Sequence, residues 1–174
     1  KEAFINNNSL STVTVSKGIK SIGDKAFYNT SVTKVTLPDS LTSIGNSAFS
    51  RCIYLNSVTL GNGLEKISNN CFSHCTRLET IVIPDSVKDI DNGAFEACSH
   101  LSSLKLSKNL KRIGQYAFAY TYELKNVTLP ESLITIDEAA FYFNSKIASI
   151  TIPANVKSIG ASAFYSNTAL KNVT

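Results

Sequence analysis

Four cysteines and two histidines are the residues in this chain whose types could carry metal, redox or nucleophilic chemistry. Cys52, Cys75 and Cys98 recur at one interval, and Cys71-x-x-His74-Cys75 packs three possible ligands into five residues. That spacing would suit a disulfide or a metal site, because thiolate and imidazole are soft, directional donors. A plainer reading is a small buried side chain, since related positions hold Asn or Thr. If the three cysteines stack on neighbouring strands, their Cβ atoms lie near the strand spacing, longer than the ~3.8 Å a disulfide prefers. Three equal rungs also leave one thiol unpaired. The expectation is free buried thiols, with a disulfide, then a metal, as the alternatives.

Catalysis finds little support. His74 and His100 have no Ser or Cys placed to pair with them, and the carboxylates Asp39, Asp85 and Glu131 fall in turns. No phosphate loop, zinc pattern or dinucleotide fingerprint is present. The expectation is a non-enzymatic chain without cofactors.

What must position these residues is a repeat. Phenylalanine recurs at 4, 27, 49, 72, 95, 118, 141 and 164, in steps of 23 with a single step of 22. A small residue precedes each Phe, and Asn, Thr or Cys stands three positions after it. Aliphatic residues recur at five further offsets, as in Leu78, Ile81, Ile83, Val87 and Ile90 before Phe95. The short step places a one-residue deletion between Thr30 and Val32, in a loop. Pairs such as Val35-x-Leu37 and Ile150-x-Ile152 alternate like a strand. Pro38, Pro84, Pro130 and Pro153 end those strands, because Pro has no N–H for a ladder. Gly23, Gly45, Gly114 and Gly160 precede a segment holding the Ala-Phe pair, read as a short helical or 3₁₀ turn.

The unit L-x-x-V-x-L-P-x-x-(L/V)-x-x-I-G-x-x-A-F-x-x-(C/N/T) resembles the BspA-like leucine-rich repeats of bacterial and protist surface proteins. The resemblance covers residues 3–174. It agrees with the fold that the periodicity predicts, a leucine-rich-repeat solenoid. This would be a right-handed coil of stacked 23-residue repeats with a parallel β-sheet on its concave face and short strands and 3₁₀ turns on the convex side. One coil cannot bury its own apolar face, so the coils must stack. Residues 1–174 read as a single domain of about seven full repeats with partial repeats at both ends. A fragment of a longer protein is expected, with further repeats or domains flanking it.

Composition agrees. The 174 residues are 43% hydrophobic and 17% charged, enough apolar side chain for a core. No stretch approaches the ~18 apolar residues of a membrane span, so no membrane insertion by this segment is expected. A net charge of +4 without a basic run gives no footprint for nucleic acid.

Three outward surfaces remain. The sheet face is a hydroxyl-rich strip with a few lysines, and its candidate contact residues are Thr14, Lys34, Thr36, Ser57, Thr59, Thr80, Lys105, Asn126, Thr128 and Thr151. Threonine is also a default strand filler. An aromatic edge gathers in the last three repeats, with Tyr116, Tyr120, Tyr122, Tyr142, Phe143 and Tyr165 at non-core offsets. Tyr120 and Phe143 share one offset, as do Tyr142 and Tyr165, so each pair should stack. Lys20, Lys88, Lys111 and Lys157 share a third column, read as solvated.

The resemblance implies adhesion. The leading expectation is a protein-interaction module of a cell-surface or secreted protein, binding a host or matrix protein or a glycan. The alternative is a structural spacer that displays another domain.

Overall fold

The computed structural model describes residues 1–174. The chain is a parallel-strand β-solenoid of about seven turns with no helix. Most coils contribute two short strands, one to each of two separate ladders. The first ladder holds Thr12–Thr14, Lys34–Thr36 and Ser57–Thr59, then Thr80–Val82 with Ser103–Lys105, then Ser149–Ile150 with Asn172–Val173. The second holds Ser21–Ile22 with Ser43–Ile44, then Lys66–Ile67, Asp89–Ile90, Arg112–Ile113, Thr135–Ile136 and Ser158–Ile159. Partners are one repeat apart. Lys34 pairs with Ser57, whereas Thr12 pairs with Lys34, so the one-residue deletion is absorbed without a register slip. A slip would have turned Val13 and Val35 outward, and both are buried.

The core is one continuous stack. Neighbouring rings of the eight motif phenylalanines lie 5.0 to 5.5 Å apart and 2° to 12° from parallel. Phe49, Phe72, Phe95, Phe118 and Phe141 are fully buried, each sandwiched by the coils on both sides. Phe4 has a neighbour on one side only and is 46% exposed.

The Ala-Phe segment corrects one expectation. It forms single hydrogen-bonded turns, not a helix or a 3₁₀ run. A 3₁₀ helix needs consecutive i→i+3 bonds. Here alternate N–H groups point elsewhere. Ala26 and Tyr28 donate within their coil, to Gly23 and Lys25, while Lys25, Phe27 and Asn29 donate to Asn46, Ala48 and Ser50 of the next coil. The alternation requires a left-handed residue two before and two after each Phe, and every coil has both. Examples are Lys25 (φ 51°) with Asn29 (φ 54°), and Tyr116 (φ 55°) with Tyr120 (φ 60°). These turns make a third inter-coil ladder. Of 90 backbone hydrogen bonds only 12 lie within the strands, so turns and loops together carry most of the main-chain pairing.

Left-handed alanine costs about 1 to 2 kcal/mol, and glycine avoids that cost. Ala97 has φ 56°. Ala97→Gly is therefore expected to leave stability unchanged or raise it by up to ~1 kcal/mol, after the glycine's extra unfolded-state freedom is subtracted. Ala94→Gly, three residues earlier at a fully buried site with ordinary φ, is expected to lower it by about 1 kcal/mol. Urea midpoints of the two variants in the opposite order would contradict the assigned turn geometry.

Both ladders have gaps. The second breaks between Ser43–Ile44 and Lys66–Ile67. Gly45 lies so close to the preceding coil that a Cβ there would sit 2.3 Å from the Asp24 nitrogen. Ser68 stands at that offset in the next coil, and its hydroxyl, rather than its N–H, donates to the Ile44 carbonyl. The first ladder breaks after Ser57–Thr59 and again around 126–128, where the Asn-Val-Thr segment forms no strand.

Candidate interaction surfaces

The cysteine column lies inside the solenoid. Cys52, Cys71, Cys75 and Cys98 are free thiols with no exposure. Cys52, Cys75 and Cys98 each donate to the carbonyl of the Phe one coil back, Phe27, Phe49 and Phe72, at 3.1 to 3.2 Å. Asn144 and Asn167 do the same through Nδ2, to Phe118 and Phe141, at 2.8 Å. The Cys/Asn position therefore serves to satisfy a buried carbonyl. Burial raises the Cys98 thiol to about 12, and raises Cys71 and Cys75 as well. It also raises Cys52, against a hydrogen bond from Thr30. A thiol held protonated is a poor nucleophile and a poor ligand.

Cys71, His74 and Cys75 do not converge on one centre. Cys75 turns inward to the Phe49 carbonyl, while His74 Nδ1 lies 2.8 Å from the Ser73 hydroxyl. His100 Nδ1 lies 2.7 Å from the Thr76 carbonyl, and as its partner is a carbonyl the ring nitrogen donates.

On the sheet face the candidate side chains point outward. Thr14, Lys34, Thr59, Thr80, Lys105, Asn126, Thr128 and Thr151 are exposed, and Thr36 and Ser57 are half-buried. Val82 breaks the polar strip at 58% exposure. Where the ladder fails at 126–128, a shallow recess of about 320 Å³ opens. Asn126, Thr128, Glu131, Ser149 and Thr151 supply its polar lining, with Leu129 and Ile150 among its apolar floor. The Asn-Val-Thr text of that strand looks like any other repeat, so sequence reasoning had no signal for the recess.

The lysine column divides. Lys20, Lys88, Lys111 and Lys157 are exposed. One residue later in the repeat, Lys66 and Arg112 are tied into ion pairs. Asp91 accepts from Lys66 at 3.2 Å and from Arg112 at 3.3 Å, and Asp137 lies 2.7 Å from the same guanidinium. Asp91 and Asp137 stand at the offset that holds glycine in other coils, a substitution the motif text did not single out.

All six aromatic-edge residues meet in one cluster. Tyr142 is its hub. It stacks on Tyr165 at 5.1 Å, meets Tyr120 and Tyr116 edge-on at 5.7 and 6.2 Å, and touches Phe143 at 4.7 Å. Phe143 in turn lies 5.8 Å from Tyr120 and 5.9 Å from Tyr165, and Tyr122 lies 6.3 Å from Tyr120. The shared offsets foretold the Tyr120–Phe143 and Tyr142–Tyr165 pairs. Tyr116 and Tyr122 stand at offsets that no other cluster member shares, and they join through edge-on contacts to Tyr142 and Tyr120. Loss of hydration, with Tyr120 and Tyr165 alongside, pushes the Tyr142 phenol above its usual range. Beside the cluster, Lys146 pairs with Glu123 at 2.6 Å and lowers that carboxyl.

Comparison with known proteins agrees with the geometry. The family model described as a BspA type leucine rich repeat region, in six copies, matches residues 1–102 and 88–174. A leucine-rich repeat protein from Bacteroides ovatus is 32% identical with a TM-score of 0.88, over 95% of this chain and 43% of that one. A leucine-rich repeat protein from T. pallidum is 29% identical with a TM-score of 0.86, over 92% of this chain and 78% of that one. A leucine-rich cell surface protein from Faecalibacterium prausnitzii is 26% identical with a TM-score of 0.69, over 99% of this chain and 61% of that one. The chain thus spans less than half the length of the Bacteroides ovatus protein. A search of curated protein sequences returned no match. No helix is long and apolar enough to cross a membrane. Leucine-rich repeats are in general protein-interaction modules and generally non-catalytic. With its Phe stack, its coil register and a family match along its whole length, the chain belongs to the BspA-type leucine-rich repeat family.

Proposed function

We propose that this solenoid is a non-enzymatic adhesion module of a cell-surface or secreted protein, and that it docks host or matrix proteins through its aromatic edge. The observation that carries this reading is the convergence of six aromatic rings from three coils, with Tyr122, Phe143 and Tyr165 at 43%, 38% and 55% exposure. Large rigid rings with polar tips are the side chains from which binding hot spots are made. Tyr116, Tyr120 and Phe143 hold these rings at positive φ, a costly conformation for bulky residues. The sheet-face residues, from Thr14 and Lys34 to Thr128 and Thr151, add hydrogen-bonding area but no aromatic anchor. Surface location is supported by the likeness to a bacterial cell surface protein.

The test is binding to a panel of immobilised host-surface and matrix proteins. Wild-type chain is expected to bind at least one of them. Tyr122→Ala with Tyr165→Ala is expected to weaken that binding tenfold or more, while Thr59→Ala changes it less than twofold. A wild-type chain that binds nothing, or a double variant that binds like wild type, removes the basis for this reading.

A further inference from the structure

The turn Gly61-Asn62-Gly63-Leu64 is held more loosely than its counterparts in the other coils, and it contains an Asn-Gly bond. We infer that Asn62 is a site of spontaneous deamidation to isoaspartate and aspartate, and that the fold protects the chain's other Asn-Gly pair, Asn92-Gly93. Every other coil closes this turn with a hydrogen bond from its fourth residue to its first, as Leu41 does to Pro38 at 3.0 Å and Leu133 to Pro130 at 2.9 Å. Leu64 makes no such bond to Gly61. Pro38, Pro84, Pro130 and Pro153 hold the first position in four other coils, where a fixed φ stiffens the turn, and Gly61 removes that restraint. The Gly63 N–H also lacks an acceptor. Its counterpart Gly18 donates to the Ser40 hydroxyl of the next coil at 2.9 Å. Ser86 stands in that place for Gly63, and its buried hydroxyl has no partner. Asn62 is exposed, and its side chain is held by Asp39 alone, whose Oδ1 accepts from the Asn62 N–H at 2.7 Å and from Nδ2 at 3.1 Å.

The reaction consumes water and transfers no electrons. Hydroxide takes the Gly63 amide proton, and the nitrogen attacks Cγ of Asn62, with no side chain on glycine to obstruct it. The new N–Cγ bond closes a succinimide. Nδ2 leaves as ammonia, taking a proton from water and regenerating hydroxide. Water then opens the ring at one of its two C–N bonds. Breaking N–Cγ gives aspartate; breaking the original peptide bond gives isoaspartate, with an extra methylene in the main chain. Either product puts a carboxylate against Asp39, which loses the Nδ2 donor it now accepts from. Asn92 has the same successor but not the same freedom. The Gly93 N–H is committed to the Gln115 carbonyl of the next coil at 2.8 Å, and Gly93 is buried. Asn92 Oδ1 accepts from the Gln115 N–H at 3.1 Å and from Arg112 Nη2 at 3.0 Å. Cyclisation at Asn92 must first break these links between coils.

The test holds the folded chain at pH 8 and 37 °C for several weeks, beside a sample unfolded in guanidinium chloride. Tryptic peptides 52–66 and 89–105 separate the two pairs, fragment ions locate the site, and each conversion adds about one dalton. In the folded sample Asn62 is expected to convert at least tenfold faster than Asn92. In guanidinium the two rates are expected to come within twofold, because the shared dipeptide then sets both. Asn62→Lys removes the reacting amide, and the scaffold accepts it, since Lys108 at the same offset lies 3.5 Å from Asp85. That variant is expected to lose the acidic species that wild type accumulates on ion exchange. Equal rates in the folded chain, faster conversion at Asn92, or conversion of Asn62 only in guanidinium overturns the inference. So does an Asn62→Lys chain that turns acidic as fast as wild type.

Discussion

Replacing Phe95 by alanine is expected to cost the solenoid about 3 to 5 kcal/mol. The ring is fully buried and stacked on both faces, 5.4 Å from Phe72 and 5.3 Å from Phe118. Its removal strips contacts from both neighbours and leaves a void that two rigid coils cannot close. For a chain of this length, each kcal/mol lowers the melting temperature by about 2 to 4 °C. A drop of roughly 6 to 20 °C in a calorimetric scan is expected. A solenoid is held by nearest-neighbour contacts, so a lesion at mid-stack also separates its halves energetically. The transition should broaden or split. Thr59→Ala, on the exposed sheet face, is expected to change stability by no more than ~0.5 kcal/mol. Equal losses for Phe95→Ala and Thr59→Ala would mean that inward and outward had been exchanged.

Alkali should destabilise this protein more than its surface charge would suggest. Unfolded thiols ionise near 9.0, whereas burial keeps Cys98 protonated to about 12 and raises Cys71 and Cys75 too. Below pH 9 both states hold their protons and the thiols add no pH dependence. Above it the unfolded chain releases protons that the folded chain retains. Stability therefore falls with rising pH, from about 9 up to the folded value. Each fully buried thiol contributes about 1.4 kcal/mol per pH unit in that window, so three of them remove several kcal/mol within two units. Urea midpoints taken across the range would show the slope. Cys98→Asn should fold, because Asn144 fills the same offset and bonds the same kind of carbonyl at 2.8 Å. That variant should lose its share of the slope. An unchanged slope, or iodoacetamide labelling of the native thiols near neutral pH, would contradict their burial.

Much of this architecture was legible in the residues. The Phe period, the inward aliphatics and the strand-ending prolines each have a local cause, and they agree on one repeat. The one-residue deletion was readable as well, and it reappears as the 22-residue step from Thr12 to Lys34. Two aromatic contacts followed from shared offsets, since equal positions in successive coils must lie side by side, but only Tyr142 and Tyr165 stack, while Tyr120 and Phe143 lie tilted by 31°. The left-handed positions were harder. Lys25, Ser47, Arg51, His74 and Tyr120 are not residues that seek positive φ, and only Asn and Gly at some offsets hint at it. A subtler signal was available, because Val, Ile and Thr never stand at those two offsets. β-branched side chains tolerate that backbone least.

Repetition along the chain was enough to set the coil: its length, which side chains turn inward, and the order in which they stack. These depend on contacts that recur identically every 23 residues, so the text repeats them. Packing between coils set where the ladders break, that Asp91 and Asp137 share Arg112, and that Tyr116 and Tyr122 join the aromatic cluster. Those features arise from how one coil's N–H groups and side chains reach the next. Such choices are made between neighbours and not within a repeat, and no single unit of the text records them.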